Sequence, residues 1–113
     1  MDACDYLNIK LAKSAGIYNA LKINAVAEAG GVYCMVGCMN ETRLGLTAGA
    51  HLVSARQNIC FADLDSADML SMDPILGGIT YGDKGEIIIP DTPGLGADVD
   101  PQFLKKLESF TIM

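Results

Sequence analysis

At 113 residues the chain is one compact domain at most, or a piece of one; half its residues are hydrophobic and 19% are charged, which excludes a disordered segment. The net charge of −6 is spread along the sequence with no basic stripe, which argues against nucleic acid as a partner and does not suggest a binder of anionic membranes. Polar residues or glycine interrupt every apolar run before it reaches membrane-span length, and the N-terminus lacks the basic region and apolar core of a signal peptide.

The first element in chain order is the short apolar run Tyr6–Leu11, read as a strand. Ser14, Ala15 and Gly16 form a turn, and an Ala/Leu-rich helix follows over Ile17–Ala29, stopped by Gly30 and Gly31. Val32–Met39 is a second strand, rich in β-branched and aromatic residues. Thr42–Ala55 is a second helix with two apolar faces: Leu44, Ala48, Leu52 and Ala55 on one, Leu46, Gly49 and Val53 on the other. Such a helix is packed from two sides. Asn58–Leu64 gives a third strand and Ser66–Met72 one helical turn.

The fold class is therefore α/β, with strands apolar throughout and separated by helices, as in a parallel sheet. The pattern then changes. Ile79–Tyr81 and Glu86–Ile89, joined by Gly82-Asp83-Lys84-Gly85, make a β-hairpin. Pro90, Pro93, Gly94 and Gly96 mark an irregular stretch, and a last helix is expected from Pro101 to about Phe110. Three parallel strands with two crossover helices leave both outer strands unpaired and one sheet face bare, so a partial barrel or cover from other chains is expected.

The cysteines, Cys4, Cys34, Cys38 and Cys60, form no CxxC pair and have no nearby histidine, so reduced structural thiols and a cytoplasmic setting are expected. Parallel α/β folds carry their chemistry at the C-terminal ends of strands. Those ends hold Lys10, then Asn40 and Glu41, then Asp63 and Asp65. A lysine closing a buried strand is a usable base when desolvation lowers its pKa; the alternative is an ammonium that reaches solvent or a neighbouring carboxylate. Asp63 and Asp65, two apart in a strand, point to one face and suit an ammonium or a metal ion; helix capping and loop polarity stay open as the other reading. Glu41 fits the first turn of the following helix, where a carboxylate favours the dipole. His51, the only histidine, lies mid-helix as a packed or hydrogen-bonded group. Thr92-Pro93-Gly94-Leu95-Gly96 lacks the Lys-Ser/Thr and helix start of a phosphate loop.

The run Asp5-Tyr6-Leu7-Asn8-Ile9-Lys10-Leu11-Ala12-Lys13-Ser14-Ala15-Gly16-Ile17 resembles the sixth-strand motif of the muconate-lactonising subgroup of the enolase superfamily, and is especially similar to that of dipeptide epimerases. Val36–Gly45 resembles the seventh-strand segment of that group, Asp63-Leu64-Asp65 its DxD motif, and Asp73–Ile79 with Pro93–Gly96 its tail. Ala15 and Cys38 stand where relatives often have Gly and Ser. The resemblance implies the last third of a modified TIM barrel, with residues 1–78 as partial barrel (strands six to eight) and 79–113 returning toward a capping domain. It also implies proton transfer at the α-carbon of a dipeptide, with Lys10 as one of two opposed acid/base lysines. Asp63 and Asp65 would bind the substrate ammonium, with Cys38 and Met39 beside the substrate. Magnesium would serve the full-length family, with none expected on this chain alone, because the second lysine and the metal ligands have no counterpart here. A fragment inactive by itself and a homo-oligomer are the resulting expectations. The alternatives are a self-associating non-catalytic scaffold, or a fragment of a muconate cycloisomerase or o-succinylbenzoate synthase-like enzyme.

Overall fold

The computed structural model describes residues 3–112. Strands β1 (Tyr6–Lys10), β2 (Tyr33–Gly37) and β3 (Ile59–Asp63) form one parallel sheet in the order β1-β2-β3. Helices α1 (Ile17–Ala29) and α2 (Arg43–Ser54) are the crossovers, as the periodicity predicts, each strand being one to three residues shorter than its apolar run. Gly30 and Gly31 do end α1. Gly31 takes φ 70°, its amide bonds to Glu28 O and that of Val32 to Ala27 O, so two otherwise orphaned carbonyls are satisfied.

Alternation divides the sheet into two faces, with a register shift between β2 and β3 at Cys34/Met35 that puts Ile59 and Phe61 on opposite sides. Ile9, Cys34, Val36 and Ile59 are buried with Ala20 of α1 and Leu46, Ala50 and Leu52 of α2 in one core, which Leu64 and Ile79 complete. Tyr6, Asn8, Tyr33 and Phe61 lie exposed on the opposite face, where Tyr6 stacks on Tyr33 (6.1 Å) and meets Phe61 edge-on (5.3 Å). Neither outer strand has a further partner among the described residues.

α2 is packed from two sides, by β2 and β3 on one flank and by the C-terminal segment on the other. Arg43, in its first turn, fastens that segment: its guanidinium pairs with Asp73 and donates to Ile75 O and Gly77 O, both at 2.7 Å. One turn on, the buried Thr47 hydroxyl donates to Arg43 O (2.6 Å) and accepts from Ile79 N (3.0 Å). His51 is hydrogen-bonded, its Nε2 3.2 Å from Leu95 O.

Beyond β3, a 3₁₀ turn covers Ser66–Met69 only, short of the expected Met72. Strand β4 (Ile75–Gly77) pairs antiparallel with β7 (Ala97–Val99), a two-stranded sheet that the Pro- and Gly-rich sequence does not suggest. It forms because Gly77, at φ 70°, lets the chain approach Gly96 so closely that a Cβ would strike the Gly96 carbonyl. The expected hairpin is β5 (Thr80–Tyr81) with β6 (Ile87–Ile88).

The last helix differs from expectation. α3 covers only Pro101–Leu104, with the Asp100 side chain accepting from Gln102 N, and does not reach Phe110. Leu107, Phe110 and Ile112 are exposed, so the apolar side of a longer helix has no surface to pack on, and a short helix unsupported by packing does not propagate. All four cysteines are free thiols. Burial raises the pKa of the Cys34 thiol, with neighbouring Cys60 adding to the effect.

Candidate active site

Every candidate that closes a strand arrives at one end of the sheet. The pairing register puts Lys10, Gly37 and Asp63 in a single row across β1, β2 and β3. Residues in one row of a parallel sheet point the same way, so Lys10 and Asp63 flank a central position that has no side chain, about 10 Å apart at the backbone. The Asn8 side chain fills part of that gap: a Cβ on Gly37 would lie 2.7 Å from Asn8 Oδ1. Gly37 therefore keeps the floor low.

A cleft of about 500 Å³ opens above this row. Lys10, Cys38, Met39, Asp63 and Asp65 all line it, and Asn40, Ser66 and Met69 complete the wall. The Lys10 ammonium is half-buried and donates to Cys38 O at 2.7 Å, so the lysine neither extends freely into solvent nor has a carboxylate as its hydrogen-bond partner. Its own carbonyl accepts from Ser14 N and Ser14 Oγ, both at 2.9 Å, which fixes the strand end from the loop side. That loop contains Ala15 at φ 57°, a left-handed conformation that costs a residue with a Cβ about 1 kcal/mol.

Two expectations need correction. Asp65 is not in the strand with Asp63: β3 ends at Asp63, and Asp65 has helical angles (φ −103°, ψ −4°) at the start of the 3₁₀ turn. The pair shares a cleft because the chain turns after Leu64, not because of strand alternation. Nor does Glu41 sit in the first turn of α2, since Thr42 is the N-cap and Arg43 the first helical residue. The Glu41 carboxylate instead accepts from Met39 N (3.0 Å) and braces the loop after β2.

Two supporting residues were not singled out from sequence. Ser66, buried, bonds both ways with the Glu41 backbone: its hydroxyl accepts from Glu41 N (3.1 Å) and donates to Glu41 O (3.2 Å). It locks the loop after β3 to the loop after β2. Its polarity directly behind Asp63-Leu64-Asp65 was the available signal. Tyr81, on the hairpin, donates its hydroxyl to Leu64 O, and no local pattern ties it to a residue 17 positions away. Burial, then the charges of Asp68 and Asp65, push its phenol up to about 12.

Chemically, the cleft sets one ammonium against two exposed carboxylates with a sulfur-rich wall between them. Among the described residues no three His, Cys, Asp or Glu side chains are grouped to hold a metal ion. With two carboxylates and no third ligand grouped beside them among the described residues, these residues do not fit a magnesium site built by this chain's side chains alone.

The sequence matches the family described as Enolase C-terminal domain-like over residues 1–103. It is 45% identical over 112 residues to a D-Ala-D/L-Ala epimerase of Cytophaga hutchinsonii, covering 99% of this chain and 30% of that protein. It is 52% identical over 94 residues to an L-Ala-D/L-Glu epimerase of Bacillus subtilis, covering 83% of this chain and 25% of that one. The crystal structure of a dipeptide epimerase from Cytophaga hutchinsonii, complexed with Mg and the dipeptide D-Ala-L-Val, superposes with a TM-score of 0.89 at 46% identity, over 95% of this chain and 29% of that one. The chain thus spans roughly a quarter to a third of the length of these relatives. With its three parallel strands, two crossover helices and a family match over nearly its whole length, the chain belongs to the enolase C-terminal domain-like family.

Proposed function

We propose that this chain is the C-terminal part of a dipeptide epimerase barrel and contributes one side of its active site. The observation that carries the reading is the convergence of Lys10 with Asp63 and Asp65 on one cleft at the strand ends. A dipeptide presents an ammonium at one end and an acidic α-carbon proton beside its carboxylate at the other. Asp63 and Asp65 hold the ammonium, Cys38 and Met39 flank the backbone between, and Lys10 exchanges a proton with one face of the α-carbon. Inverting that carbon needs a second acid/base group on the opposite face, and the intermediate's negative charge needs a counter-charge. Both lie outside this chain, so the chain alone is inactive. The magnesium present in complexes of its relatives belongs with those missing groups. Residues 1–78 act as the partial barrel and 79–113 as the extension that braces it. The substrate pair also speaks against muconate cycloisomerase or o-succinylbenzoate synthase chemistry, whose substrates have no ammonium. The free thiols suit the cytoplasm.

The test is a graft: this chain replaces the equivalent C-terminal segment of the Cytophaga hutchinsonii epimerase, and epimerisation of Ala-Ala dipeptides is followed by deuterium exchange at the α-carbon. Activity that is lost with Lys10→Ala and weakened by Asp63→Asn is expected. An active isolated chain, or a graft indifferent to Lys10, refutes the assignment.

A second reading, compatible with the first, is self-association, favoured by the exposed Tyr6, Tyr33 and Phe61 on the uncovered sheet face and by two unpaired sheet edges. Light scattering over a range of concentrations is expected to give an oligomer; a stable monomer removes this reading.

A further inference from the structure

We propose that Tyr81 is a positioning residue for the Asp63/Asp65 pair, holding the loop between the two carboxylates through the Leu64 carbonyl. The proposal rests on the ammonium-binding reading of that pair.

The loop is gripped on either side of Asp65, at Leu64 and at Ser66. Ser66 ties it to the backbone of Glu41 after β2, and Tyr81 ties it to the C-terminal hairpin. The tyrosine hydroxyl reaches the Leu64 carbonyl, in the peptide that leads directly into Asp65. Its ring is partly buried and packed against the core cluster, so the donor is held by its own surroundings. Asp63 belongs to the sheet and is fixed by it, whereas Asp65 follows the strand end, where no ladder bond sets its place. The position of one carboxylate relative to the other thus depends on the orientation of the peptides around Leu64. A phenol is a donor at neutral pH in any case, and here burial, then Asp68 and Asp65, bind its proton more tightly still. The hairpin, remote from the reacting carbon, thereby acts on how tightly the ammonium is held.

Binding of the ammonium is the same in ground and transition states, so a misplaced Asp65 raises KM and spares kcat. In the graft described above, Tyr81→Phe keeps the ring and removes only the hydroxyl. The expected effect is a rise in KM of about 5–10-fold, the loss of one net hydrogen bond. An N-acetylated dipeptide, which has no ammonium, is expected to lose nothing further from the substitution. Equal losses on both substrates make Tyr81 merely structural and overturn the proposal, as does an unchanged KM. The isolated chain gives a second readout that needs no catalysis. The Asp68 amide bonds to Asp65 O at 3.0 Å, and its hydrogen exchange is expected to quicken about 5–10-fold in Tyr81→Phe while the amides of β2 are unaffected. Unchanged exchange at Asp68 overturns the proposal even where the graft is inactive, a result that on its own counts against the proposed function instead.

Discussion

Replacing Arg43 with alanine tests how the C-terminal segment is held to α2. The guanidinium makes three contacts with residues 30 to 34 positions away: the Asp73 carboxylate and the carbonyls of Ile75 and Gly77. The Arg43 side chain is 26% exposed and that of Asp73 is 16% exposed, so the pair lies between a surface ion pair and a buried one. Surface pairs are worth up to about 1 kcal/mol, while removing one partner of a buried pair costs about 3–5 kcal/mol. Asp73 Oδ1 already has no hydrogen-bond partner, so losing Arg43 leaves the whole carboxylate uncompensated. An intermediate cost of about 2–3 kcal/mol follows, once solvent screening of the exposed quarter is allowed for. At about 4 °C per kcal/mol for a chain of this size, the thermal midpoint falls by about 8–12 °C. Circular dichroism melts of the parent, Arg43→Ala, Asp73→Ala and the double variant measure both the loss and the coupling. Arg43→Lys is expected to recover less than half, because one ammonium does not span three acceptors that a planar fork reaches together. A fall below roughly 2 °C, or a coupling under about 0.5 kcal/mol, refutes the claim that Arg43 is the fastening.

Ala15→Gly is expected to stabilise the chain by about 1 kcal/mol in urea unfolding, because glycine adopts φ 57° without the Cβ penalty that alanine incurs there. Destabilisation refutes the assigned strain. Alkaline pH gives a third test. The Tyr81 phenol is pushed up to about 12, above its unfolded value near 10, so the folded state favours the protonated form. Its contribution is complete below pH 10 and is lost as pH rises from 10 towards 12, at most about 2–3 kcal/mol for a partly exposed ring. The urea midpoint of the parent is expected to fall more steeply than that of Tyr81→Phe between pH 9 and 11; parallel curves refute the assignment.

The sequence was most informative where a pattern is local. Apolar runs of strand length alternating with helical periodicity give β1, α1, β2, α2 and β3 in order, because each element satisfies its backbone within a few residues or against its sequence neighbour. Gly30-Gly31 read correctly as a helix stop because the geometry they provide is itself local. The strand-end rule gathered Lys10, Asn40, Glu41, Asp63 and Asp65, and the family resemblance added Cys38 and Met39; all of these but Glu41 line one cleft.

Other features depend on contacts that no local pattern encodes. The β4–β7 pair joins segments twenty residues apart through close backbone approach at Gly77 and Gly96. α3 ends at Leu104 because apolar periodicity forms a helix only where something covers it. Asp65 reaches the cleft through a turn rather than strand alternation, and that turn is held by Ser66 and Tyr81 from two different parts of the chain. The residue types that line the candidate site were thus legible by themselves. The peptide orientations and long-range hydrogen bonds that aim them were decided only by the packing of the hairpin and α2 around the sheet.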